Sequence, residues 1–77
     1  MGRLSNVSVA DWKEFLRYCG LNLLRINGDH EIWSKDGLLR PVVFQSRITP
    51  VPEFVILNNL RTMKVTRKVL EEFLQNK

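Results

Sequence analysis

The chain has 77 residues, 44% of them hydrophobic and 26% charged, with no low-complexity tract. A chain this short buries only about 60% of the surface it exposes when unfolded, which excludes a large internal active site and points to one small globular domain. Twelve Lys and Arg against eight Asp and Glu give a net charge of +4, a mild bias towards polyanions without an arginine-rich block behind it.

No apolar run approaches the roughly 20 residues that span a bilayer, and no charged segment leads into an apolar one as in a secretory signal. Cys19 is the only cysteine, so an internal disulfide is excluded and the reducing cytoplasm is the expected compartment. The domain is expected to fill residues 1–77, with residues 1–7 as a loose N-terminus.

In chain order, "SVADWKEFLRYCG" reads as a helix with both ends marked. Ser8 is a good N-cap and Asp11 follows three residues later, as in a capping box. Val9, Trp12, Phe15, Leu16 and Cys19 form one apolar stripe at helical spacing, and Gly20 supplies a left-handed stop. Cys19 therefore reads as a core residue rather than a reactive thiol. "LNLLRI", Leu21 to Ile26, is strand-like, and Asn27-Gly28 after it is a strong hairpin signal. "DHEIWSK" reads as the second strand, Asp36-Gly37 as another hairpin turn, and "LLRPVVFQ" as the third strand. Pro41 removes a backbone donor there, which suits a strand with an edge open to solvent.

"SRITPVPEF" is a loop, and Pro52 suits the first turn of a helix. "EFVILNNLRTM" reads as that helix, although its Phe54 to Leu57 run is also compatible with a strand. "VTRKVLEEFLQ" is the last helix, with Thr66 as N-cap and Val65, Val69, Phe73 and Leu74 as its buried side. The predicted fold class is α+β: an α-β-β-β-α layout like that of double-stranded-RNA-binding domains, with a three-stranded antiparallel sheet and helices on one face.

Little in this chain can carry chemistry. One His and one Cys do not make a metal-ligand set, so neither a metal nor another cofactor is expected. The four glycines form no phosphate-binding loop, and Glu71 and Glu72 read as a solvated helix face. That leaves His30. An imidazole can take a proton from a hydroxyl and return one to a leaving group, and RNA carries its own nucleophile in the 2′-hydroxyl. One histidine beside a bound phosphodiester can therefore suffice for cleavage. Periodicity alone favours an ordinary strand histidine.

Arg25 is the local cation. A two-residue Asn27-Gly28 turn would set Arg25 opposite His30, whereas a three-residue loop would move it to the other face. Trp12 reads as core. Trp33 alternates with Ile32, so one of the two is expected to face solvent or a partner.

"DWKEFLRYCGLNLLRINGDHEIW" and "NNLRTMKVTRKVLEEFL" together resemble the HicA family of small toxins from bacterial toxin–antitoxin pairs. The resemblance runs over roughly residues 8–74 and centres on a Gly-x-His motif, here Gly28-Asp29-His30, followed by Ile32 and Trp33. It implies the double-stranded-RNA-binding-like fold and a ribosome-independent mRNA interferase. His30 would be the catalytic residue, Gly28 the turn that positions it, and a HicB-type antitoxin the partner that masks it. RNA-phosphate contacts are expected from Arg25, Lys35 and Arg40.

The chain departs from the family pattern at two places. Asp29 stands where Ser is usual. "TPVPEFVILNNLRT" lacks the second histidine and the glycine often found before the last helix. Beside the nuclease stand two other readings: a non-catalytic RNA-binding module and a protein-interaction domain.

Overall fold

The structure is a computed structural model that describes residues 3–77, without the side chains of Arg3 and Ser5. Its regular elements are a 3-10 turn over Arg3–Asn6, helix α1 over Val9–Tyr18 and strands β1 (Asn22–Asn27), β2 (His30–Ser34) and β3 (Val42–Gln45). Helices α2 (Glu53–Met63) and α3 (Arg67–Gln75) complete the chain. The sheet is an antiparallel meander in the order β1-β2-β3. This is the α+β layout expected from the pattern, with two C-terminal helices after the strands.

The marked helix ends act as the sequence suggests. The Ser8 hydroxyl accepts the Asp11 amide at 3.1 Å, and the Thr66 hydroxyl accepts that of Val69. Gly20, at φ 91°, lets the Leu21 amide reach back to the Leu16 carbonyl and its own amide to that of Arg17, both at 2.9 Å. This closing pair satisfies carbonyls that the end of α1 would otherwise leave bare.

One core joins every layer. Trp12, Phe15 and Leu16 of α1 meet Trp33, Val42 and Phe44 of the sheet, and Ile56, Leu60 and Met63 of α2 close over them with Leu70 of α3. Trp33, Val42 and Phe44 share one face of the sheet, so all three helices cover that face. The opposite face carries Arg25, Asn27, His30, Ile32, Val43 and Gln45.

Several details differ from the sequence reading. The N-terminal stretch is docked rather than loose: Leu4 and Val7 are fully buried, and the Val51 amide donates to the Val7 carbonyl at 2.8 Å. Met1 and Gly2 lie outside the described residues. Pro52 is the N-cap of α2 and precedes its first turn. The buried residue of α3 is Leu70, which with Phe73 and Leu74 makes an i, i+3, i+4 seam; Val69 lies beside that seam and is exposed.

Asp36-Gly37 is a turn inside a seven-residue connection rather than a hairpin loop, since β2 ends at Ser34 and β3 starts at Val42. Trp33 and Ile32 are both buried. Trp33 faces the helices, and Ile32, 7% exposed on the other face, is flanked across the sheet by Arg25 and Val43.

Candidate functional site

His30 sits at the first position of the central strand, at the turn end of the sheet. The β1–β2 register pairs Asn27 with His30, so the two loop residues are Gly28 and Asp29. This is neither of the registers that the Asn-Gly signal suggested. Gly28 has φ 67°, and Asp29 is not among the positive-φ residues. Glycine in the left-handed region at the first loop position, followed by an ordinary residue, is the pattern of a type II′ turn. An Asn-Gly type I′ loop would need positive φ at both positions, so Asn27 stays in the strand.

The turn is fixed from the far side of the sheet. The Ser46 amide donates to the Asp29 carbonyl at 2.8 Å, and the Ser46 hydroxyl donates to the same oxygen at 3.1 Å. His30 is thus the middle residue of a row, between Asn27 on β1 and Gln45 on β3.

The Asp29 carboxylate divides its two oxygens. Oδ1 lies 3.5 Å from Nδ1 of His30, and Oδ2 lies 3.2 Å from Nε of Arg47. The His30 side chain is 49% exposed and that of Arg47 is 82% exposed. The Asp29 carboxylate thus stands beside Nδ1 of a half-exposed imidazole. The Arg47 guanidinium offsets the negative charge that Asp29 would otherwise present to an incoming phosphate. The acidic residue in the Gly-x-His motif is therefore part of a His–Asp–Arg chain rather than a bare anion.

The expected RNA-binding residues are not gathered in one place. Arg25 pairs with Ile32, two residues along from the Asn27–His30 pair on the same face. That is a diagonal relation of about 7–8 Å between backbone positions, within reach of a long side chain. Lys35 and Arg40 lie at the opposite end of the sheet, about 16 Å from His30 along β2 by strand rise. Lys35 has a structural task there: its Nζ donates to the Cys19 carbonyl at 2.9 Å, at the C-terminal end of α1.

Arg47 and Gln45 are the neighbours that local motifs do not single out. They come alongside His30 because β2 and β3 pair antiparallel, and the seven-residue connection hides that register in the sequence.

Two other polar groups have structural explanations. Glu31, buried on the helix side of β2, accepts from Trp33 Nε1 at 3.0 Å and lies 3.4 Å from Lys13 Nζ of α1. Burial pushes the Cys19 thiol up, with the Lys35 cation opposing more weakly, so the thiol stays protonated and is a poor nucleophile at neutral pH. Among the described residues, no three His, Cys, Asp or Glu side chains gather as a metal site. No helix among them is long and apolar enough to cross a membrane.

No protein-family model, curated protein or solved structure matches this chain.

Proposed function

We infer that this chain is a cytoplasmic endoribonuclease toxin of the HicA type, acting on mRNA with His30 as general acid/base and neutralised by a HicB-type antitoxin. The observation that carries this reading is the contact of Asp29 with Nδ1 of a half-exposed His30, with Arg47 on the other carboxylate oxygen. A single-histidine mechanism needs a solvent-accessible imidazole with a carboxylate beside it and a cation at hand, and these three groups meet here.

In the proposed reaction, Nε2 takes the proton of a 2′-hydroxyl as its oxygen attacks the adjacent phosphorus. The P–O5′ bond breaks, and the imidazolium returns the proton to the departing 5′-oxygen. The products are a 2′,3′-cyclic phosphate and a 5′-hydroxyl, and no metal or other cofactor enters. Arg47, with Arg25 diagonal to His30, supplies positive charge as negative charge builds on the phosphoryl oxygens. Gly28 holds the turn that sets His30 at the sheet end. Lys35 and Arg40 would engage only RNA long enough to run along the sheet.

A protein partner is supported by β1. It is an edge strand whose Leu23, Leu24 and Ile26 are exposed, and apolar edges of this kind are usually covered.

The test is end-group analysis of RNA incubated with the purified chain in the presence of a chelator. The expected fragments carry 2′,3′-cyclic phosphate and 5′-hydroxyl ends. Intact RNA, or fragments with 5′-phosphates, would contradict the mechanism.

A further inference from the structure

Phe54 is a large aromatic side chain with no place in the core. It stands on the first turn of α2 and is 68% exposed. Between it and the end of β3 lies a cleft of about 470 Å³. Its walls are mainly apolar, from Val43, Ile48, Pro52 and Phe54, with Gln45 as a polar group. His30 lines the same cleft. The helix-side core ends here, and the open sheet face begins.

We propose that this cleft is a base-binding subsite, which holds an unstacked nucleobase of single-stranded RNA next to the phosphodiester at His30. The inference rests on the nuclease reading above and deepens it by assigning the substrate's contact. The size suits one base with its ribose and lies within the range of small-ligand sites, about 300–1,000 Å³. Phe54 offers an aromatic face of the kind on which single-stranded bases stack. Gln45, directly opposite His30 in the register, carries an amide donor and acceptor that can meet a base edge. Arg47 meets Asp29, which in turn lies beside His30, so a guanidinium stands near the His30 end of the cleft, where a flanking phosphate would pass. A base seated against Phe54 would share the cleft with His30. The apolar lining with His30 and Gln45 as its polar groups, and Arg47 held near His30 through Asp29, favours a base with its phosphate over an apolar peptide side chain.

The test uses the full chain and a hexanucleotide of mixed sequence with 2′-O-methyl riboses, which blocks the nucleophile so that binding is read without cleavage. Wild type, Phe54→Ala and Phe54→Tyr are compared by fluorescence anisotropy, with thermal melts to confirm folding. Phe54→Ala is expected to weaken binding about 5- to 150-fold, the range for one base–aromatic stack. Phe54→Tyr is expected to restore it to within a few-fold, with the salt dependence unchanged because stacking releases no counterions.

A folded Phe54→Ala variant that binds the oligonucleotide as tightly as wild type overturns the subsite, and the nuclease reading then stands or falls on RNA cleavage alone. The same result combined with loss of a protein partner assigns the cleft to a protein interface instead. Phe54-dependent binding while unblocked RNA stays intact supports the subsite and refutes the nuclease. A wild-type chain that does not bind RNA overturns both.

Discussion

Lys64 is held in the left-handed backbone region, at φ 59° and ψ 41°, where α2 ends. The conformation is needed. It lets the Val65 amide donate to the Leu60 carbonyl at 3.0 Å and the Lys64 amide to that of Arg61 at 3.1 Å, the same closing pair that Gly20 makes after α1. For a residue with a Cβ this region costs about 1–2 kcal/mol. Glycine removes that cost, but its unfolded chain is freer by about 0.5–1 kcal/mol. The side chain is exposed and, among the described residues, forms no ion pair, so its loss subtracts little.

Lys64→Gly should therefore stabilise the domain by about 0.5–1 kcal/mol. At about 4–8 °C per kcal/mol for a domain of this size, Tm should rise by roughly 2–8 °C. Circular dichroism melts read this directly. Lys64→Ala is the control, because it removes the charge and keeps the Cβ; it should not share the gain. A Lys64→Gly variant no more stable than wild type, or one matched by Lys64→Ala, would refute the reasoning.

Other outcomes follow from the site and the sheet. Asp29→Asn should leave the fold intact and slow RNA cleavage by up to about 100-fold, the scale of a misplaced catalytic group, as measured by initial rates on one RNA; an unchanged rate would remove Asp29 from the mechanism. Glu31→Ala leaves Trp33 Nε1 buried without its acceptor and Lys13 without its partner. It should cost about 1–3 kcal/mol in urea unfolding, and a loss within error would show that the buried pair contributes nothing net.

Much of this architecture can be read from the residues. Ser8, Gly20 and Thr66 mark helix ends because capping is local chemistry, and the stripe of Trp12, Phe15 and Leu16 is visible because a helix repeats. The sheet face of His30 is harder. Alternation distinguishes Trp33 from Ile32 but cannot say that Arg25 and Val43 flank Ile32 closely enough to bury it. The turn is harder still: Asn27-Gly28 and Gly28-Asp29 are both plausible loops, and shifting between them changes what stands opposite His30.

The contacts that define the site are nonlocal. Ser46 fixing the Asp29 carbonyl, Arg47 meeting the Asp29 carboxylate and Phe54 facing the end of β3 all depend on pairing across a seven-residue connection. No local periodicity encodes that pairing. The docked N-terminus is missed for a similar reason: Leu4 and Val7 are too few to show a pattern, and their burial depends on α2 and the segment at Val51.

The central claim is that His30 does chemistry. The most direct measurement compares bacterial growth and RNA integrity after induction of the wild-type chain and of His30→Ala, with melting curves on both purified proteins. His30 is half-exposed at the sheet end, so the variant should melt close to wild type. Wild type should arrest growth and fragment mRNA. His30→Ala should do neither, as expected when a general acid/base worth about 10²–10⁴-fold is removed. A folded His30→Ala variant that is as toxic as wild type and cleaves RNA at the same rate would contradict the account.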